Sequence, residues 1–178
     1  MPEPECVCAA LPTISTRVRV AIVMHHIEAV RSTNTGRLVA RMLPRTVTRS
    51  RGVRDALIEP PPEGKRLVLF PSEGARALRP DDASDDLVLV VPDGTWSQAR
   101  RIHRRDPWVV GAESVTLPAT RVSEYELRHG AHAGGLCTLE AVAAAMGVLE
   151  GPAVEAAMRE AFLVWRERAM ALRTSRWG

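Results

Sequence analysis

Leu87-Val88-Leu89-Val90-Val91 constrains this 178-residue chain more than any other segment. It is apolar at every position and lacks the alternation of a strand wetted on one face, so it predicts a strand covered on both sides. Such strands lie centrally in parallel sheets, where crossover helices cover both faces. Val18 to Met24, Leu67 to Phe70 and the shorter Ser114 to Leu117 are further runs that fit the same sheet. Helical patterns lie between them. Leu38, Val39, Met42 and Leu43 follow Asn34-Thr35-Gly36 and stop at Pro44, and a second helix starts at Thr95. Thr138 to Leu149 carries Leu139, Val142, Met146 and Leu149 on one stripe. From Ala153 to about Thr174, the residues Val154, Met158, Ala161, Phe162, Trp165, Ala169 and Leu172 recur at helical steps, with Glu160, Arg166, Glu167 and Arg173 on the wet side. The alternation predicts an α/β fold with a mostly parallel sheet flanked by helices. Pro71-Ser72-Glu73-Gly74-Ala75 reads as a tight loop with a short helix. Leu78 to Asp86 reads as an acidic surface loop with nothing to bury.

Composition narrows the class. At 46% hydrophobic and 25% charged residues the chain is neither disordered nor fibrous. Its length suits one domain, taken as residues 17–178 behind a short segment 1–16. There are no internal repeats. The acidic start has no signal-peptide pattern, and no apolar run approaches the roughly 20 residues of a membrane helix. An odd count of 3 cysteines argues against a disulfide framework. A cytoplasmic protein without membrane contact is expected. Of 24 basic residues all but Lys65 are arginine, and the net charge is +3. Arginine clusters suit phosphate and nucleic acid, although a GC-rich genome would raise the arginine count by itself. No metal is expected: Cys6-Val7-Cys8 supplies two ligands and not four, His25-His26 fits no zinc module, and His103, His129 and His132 lie singly.

Ligands of open parallel sheets bind at the carboxyl ends of the strands. Three such ends are polar here: Ser32-Thr33-Asn34-Thr35-Gly36-Arg37, Phe70-Pro71-Ser72-Glu73 and Asp93-Gly94-Thr95-Trp96. A fourth polar element, Leu136-Cys137-Thr138-Leu139-Glu140-Ala141, opens a helix. Each has a plain structural explanation. Asp-Gly is a turn pair, Thr95 with Gln98 fits a capping box, and Trp96 can fill the core at the first helical turn. Thr138 can cap its helix while Glu140 suits the dipole. The functional alternative aims Asp93 from a central strand into a cleft, with the Trp96 indole stacking on a base. Glu140 interrupts a segment that looks buried and needs a partner, for which Arg128 is the candidate. Arg100-Arg101-Ile102-His103-Arg104-Arg105 would set two basic rows along one helix, either a solvated face or a support for an RNA backbone.

Taken together and in order, these segments resemble the DTW-domain family. The signature is Asp93-Gly94-Thr95-Trp96 after an apolar strand. Around it stand Ser32 to Leu38, Phe70-Pro71-Ser72, Tyr125-Glu126-Leu127-Arg128 and Leu136 to Ala141, covering roughly residues 6 to 170. Asp-Gly-Thr-Trp alone would be a weak match; five ordered motifs are a strong one. Members often carry two cysteine pairs at the N-terminus, and here Cys6 and Cys8 alone remain.

The resemblance implies transfer of the 3-amino-3-carboxypropyl group from S-adenosylmethionine to uridine N3 in tRNA, leaving methylthioadenosine. It also implies a SPOUT-like fold with a C-terminal trefoil knot. Asp93 would take the N3 proton, Thr95 would fix it or cap the helix, and Trp96 would stack on a base or shape the pocket. Pro71, Ser72, Gly94, Leu117, Pro118, Leu136, Cys137, Thr138 and Glu140 would surround the cofactor, with Arg128 on its carboxylate or on Glu140. Asn34, Thr35, Arg37, Arg100, Arg101, Arg104 and Arg105 would meet tRNA. No obligate protein partner is expected, and a monomer or homodimer suits the chain equally. The rival readings are a SPOUT-type methyltransferase and a non-catalytic RNA-binding module.

Overall fold

The computed structural model describes residues 7, 10–52, 59–117 and 136–175. Six strands, β1 (Arg19–His25), β2 (Val47–Arg51), β3 (Lys65–Leu69), β4 (Arg76–Ala77), β5 (Leu87–Asp93) and β6 (Glu113–Thr116), form one sheet in the order β2-β1-β5-β3-β6-β4. Every pairing is parallel. Five helices accompany them: α1 (His26–Ala29), α2 (Gly36–Met42), α3 (Trp96–Arg105), α4 (Thr138–Leu149) and α5 (Pro152–Ser175).

The apolar run is what the sheet is built around. β5 is buried along its whole length, between β1 and β3, with Met24 beside Asp93 and Val68 beside Val90 in register. Alternate side chains serve two cores. Leu87, Leu89 and Val91 join Ile22, Leu67 and Val115 beneath Val39 and Met42 of α2, Leu139 and Met146 of α4, and Met158 and Phe162 of α5. Val88 and Val90 face the other way with Ala21, Val23, Val68 and Phe70, under Ala99 and Ile102 of α3 and the neighbouring Trp108 and Val109. The α5 stripe is buried at Met158, Ala161, Phe162, Trp165 and Ala169. The side chains of Leu172 and Arg173 lie outside the described residues.

Two expectations need correction. No helix follows β3: residues 71–75 make a turn, with Ala75 N–H donating to Ser72 O, and the chain enters the two-residue β4. The segment after it is not featureless either. Pro80–Asp82 is a 3-10 turn, and Asp82 is buried because both of its oxygens take the Arg76 guanidinium, at 2.7 and 2.8 Å. A further strand went unread in the sequence. β2 carries Thr, Arg and Ser on an exposed edge, so its sequence shows neither an apolar run nor a hydrophobic alternation.

Candidate functional site

The carboxyl ends of the strands bring the polar motifs together. Asp93 closes β5 on the same face as Leu89 and Val91, so its side chain turns toward α2 and α4. It is completely buried. Asn34 Nδ2 donates to Oδ2 at 2.6 Å, and the Thr138 hydroxyl donates to Oδ1. The other end of the Asn34 amide accepts Arg37 N–H at 2.9 Å and fixes the first turn of α2. Thr35 Oγ1 receives Leu139 N–H at 3.4 Å, joining the starts of α2 and α4. Gly36 permits the approach: a Cβ there would sit 3.0 Å from Asp93 Oδ2. One carboxylate thus ties three segments that lie tens of residues apart.

The rest of Asp93-Gly94-Thr95-Trp96 serves the opposite face of the sheet. Thr95 caps α3, receiving Gln98 N–H at 3.4 Å while Gln98 Oε1 receives Thr95 N–H at 2.7 Å. Trp96 is half-buried, its ring 6.0 Å from Phe70, and Phe70 stacks on His103 at 4.6 Å. His103 Nε2 pairs with Ser114 Oγ at 2.8 Å, and burial, with Arg104 nearby, holds this imidazole below its ordinary pKa. Carboxylate and indole are neighbours in sequence and work on different sides.

Gly94, Pro71-Ser72 and Leu117 follow β5, β3 and β6, which are adjacent, so these three loops share one rim. Cys137 begins α4 and is buried; desolvation pushes its thiol up to about 12, which leaves it neutral and unreactive. Leu136 and Glu140 are half-buried, and Glu140 Oε2 accepts Cys137 N–H at 2.8 Å, a capping interaction. Arg128, the partner expected for Glu140, lies outside the described residues, as do Pro118, Tyr125, Glu126, Leu127, Cys6, Cys8, His129 and His132. Arg37, Arg100, Arg101, Arg104 and Arg105 are all exposed. Asn34 and Thr35, grouped with them as RNA contacts, are instead 3% and 1% exposed and hold loops together. No cluster of three or more potential metal ligands occurs among the described residues.

Sequence reasoning missed two residues. Asp106, at the end of α3, is completely buried with Arg49 at 3.0 Å and Arg51 at 3.3 Å, and it receives Trp108 N–H at 3.0 Å. Nothing local announces it, because its partners come from β2. His25, at the end of β1, was weighed solely as a zinc ligand; its Nδ1 lies 3.2 Å from Gln98 Nε2.

A family model described as DTW domain matches residues 1–170. The chain belongs to the DTW-domain family. Curated relatives carry the name tRNA-uridine aminocarboxypropyltransferase 2. Those of Macaca fascicularis and Mus musculus are 29% and 28% identical over 163 residues, which is 84% of this chain and 54% of theirs. The Drosophila melanogaster relative is 36% identical over 85 residues, covering 47% of this chain and 34% of its own. The DTW-domain chain therefore spans about half or less of the length of these relatives. No solved structure matches it.

Proposed function

We propose that the protein transfers the 3-amino-3-carboxypropyl group of S-adenosylmethionine to N3 of a uridine in tRNA. The observation that carries this reading is the convergence of Asn34 and Thr138 on Asp93, which sets three family motifs at one end of the sheet. Its second support is the name shared by the curated relatives. The fold reading extends to a SPOUT-like architecture with a C-terminal trefoil knot, and the protein is placed in the cytoplasm as a monomer or homodimer.

The rim has the chemistry an adenosine needs. Leu117 packs against the core cluster that contains Cys137, and the Pro71-Ser72 loop stands on the neighbouring strand. These are apolar walls with backbone edges, and the Cys137 thiol is neutral. S-adenosylmethionine supplies an electrophilic carbon beside a sulfonium. The protein's part is to hold the uracil N3 in line with that carbon and to keep the methyl group out of reach. In the reaction N3 bonds to Cγ, the Cγ–S bond breaks with its electron pair going to sulfur, and the N3 proton departs.

Asp93 enters first as a positioning residue. Both oxygens already take a donor and neither meets solvent, so it could accept the N3 proton after Asn34 or Thr138 releases it. Thr95 orders α3, Trp96 with Phe70 shapes one wall, and the exposed arginines of α3 with Arg37 hold the phosphate backbone. Purified protein incubated with S-adenosylmethionine and tRNA tests the reading by nucleoside mass spectrometry. A 3-amino-3-carboxypropyl uridine with methylthioadenosine is expected. Methylated nucleoside with S-adenosylhomocysteine would instead make it a methyltransferase, and tRNA binding without any adduct would make it a binding module.

A further inference from the structure

His25 ends β1 one residue beyond Met24, the register partner of Asp93, so its side chain takes the opposite face of the sheet, beside Gln98 of α3. Its Cβ lies 3.5 Å from where a Gly94 side chain would begin, so it borders the same strand ends. The ring is half-buried, with the His26 ring tilted against it at 4.5 Å. Nδ1 lies 3.2 Å from Gln98 Nε2 and 3.4 Å from Ile27 N.

The capping box determines what Nδ1 must be. Gln98 Oε1 is committed to Thr95 N–H at 2.7 Å, so the amide nitrogen is the end that faces the imidazole. An amide NH2 and a backbone N–H can donate and cannot accept. Nδ1 is therefore an unprotonated acceptor and the single ring proton sits on Nε2. Nε2 has no hydrogen-bond partner among the described residues. Burial and the adjacent His26, with Arg101 and Arg51, hold the imidazole below its ordinary pKa against the opposing pull of Glu28, which keeps the ring neutral at pH 7.

We propose that His25, as the neutral Nε2–H tautomer, binds the target uracil by donating to a carbonyl oxygen that flanks N3, and that Gln98 is the positioning residue that fixes this tautomer. The inference rests on the transferase reading. Loss of the N3 proton moves negative charge onto the flanking carbonyl oxygens, so a fixed donor there favours the anion that attacks. The proton does not pass to His25, because an imidazole with Nδ1 engaged and Nε2 protonated has no site for it; it leaves by way of Asp93 or solvent. Arg101, exposed and close enough to influence the ring, is placed to take a phosphate beside that nucleotide, whereas Arg51 is held by Asp106.

Two measurements test this together. Two-bond proton–nitrogen correlation spectra of histidine-labelled protein should show His25 with its proton on Nε2, and Gln98→Leu should raise the Nδ1–H population. His25→Ala should lower kcat by about 10²-fold with S-adenosylmethionine affinity unchanged and tRNA affinity changed far less than kcat. His25→Gln, whose amide nitrogen can stand near the position of Nε2, should recover much of that loss. A proton found on Nδ1 in the native protein, or an undiminished kcat in His25→Ala, overturns the role of His25 while modified tRNA keeps the transferase reading. Unmodified tRNA with the native protein overturns both.

Discussion

Two buried aspartates flank α3, and they are held in opposite ways. Asp106 follows the helix and is neutralised by the guanidinium groups of Arg49 and Arg51. Asp93 precedes it and is held by an amide and a hydroxyl, neither of which carries charge. A buried carboxylate needs donors in either case, and removing them is expensive. Asp106 uses its charge internally: it clamps the exposed edge strand β2 to the end of α3. Asp93 satisfies its hydrogen bonds through neutral donors, with no salt bridge among the described residues. The first arrangement is closed by ion pairs, with Asp106 Oδ2 making no hydrogen bond among the described residues. The second leaves a carboxyl group at the strand ends with no cationic partner among the described residues, where the proposed reaction would bring a cationic sulfonium donor.

Substitution of the two should therefore separate stability from activity. Asp93→Ala and Asp106→Ala should each destabilise by about 3 kcal/mol or more, read from urea unfolding, because each strands buried donors. Adduct formation should vanish in the first and persist in folded Asp106→Ala. Asp93→Asn is the sharper probe. Its carbonyl can accept from Asn34 while its amide donates to a reoriented Thr138 hydroxyl, so shape and bonding survive and the charge goes. Loss of transfer in a folded Asp93→Asn protein supports a role for the charge, and full transfer would reduce Asp93 to the same structural office as Asp106.

The contrast also explains what the sequence could tell. β5 was legible because burial on both faces forbids polar residues, and the α4 and α5 stripes because one face packs on the sheet. Thr95 with Gln98 was legible because a capping box is local. Asp106 was not, since its partners Arg49 and Arg51 lie on β2, a strand whose exposed edge carries no apolar pattern. Asp93 was picked out as a chemical group, yet spacing could not show that Asn34 and Thr138 would close over it. Asn34 and Thr35 are grouped with the RNA contacts by sequence for the same reason: a polar side chain buried by long-range bonds has no local signature.

On the outer surface of α3 the arginines make neither clamp nor buried site. Arg101→Glu with Arg104→Glu should weaken tRNA binding by at least about tenfold at low salt and flatten its salt dependence, while thermal stability changes little. An unchanged slope in a binding titration would remove α3 from the RNA face. A smaller effect is expected at the helix start. Thr95→Ala should cost about 1 kcal/mol, the usual loss for a missing N-cap, and should also loosen Gln98 and with it the His25 tautomer. Stability loss without any change in the His25 ring would confine Thr95 to capping.

Asp82 extends the comparison to a third carboxylate, charge-paired like Asp106 but nearer the surface, with Arg76 partly exposed. The Arg76 guanidinium, joined by Arg79 N–H, holds Asp82 below its ordinary value of 3.8. Its contribution is complete above the unfolded value and fades as pH falls through the lower folded one, so the sensitive window lies below about pH 4. Its size should be under about 1 kcal/mol, because solvent screens the pair. Asp82→Asn should melt below the native protein at pH 6, and the gap should narrow as both are taken toward pH 2. A gap that stays constant through that range would mean that Asp82 supports the 3-10 turn through its bond to Arg79 N–H, at 2.9 Å, which an asparagine carbonyl cannot fully replace, and not through its charge.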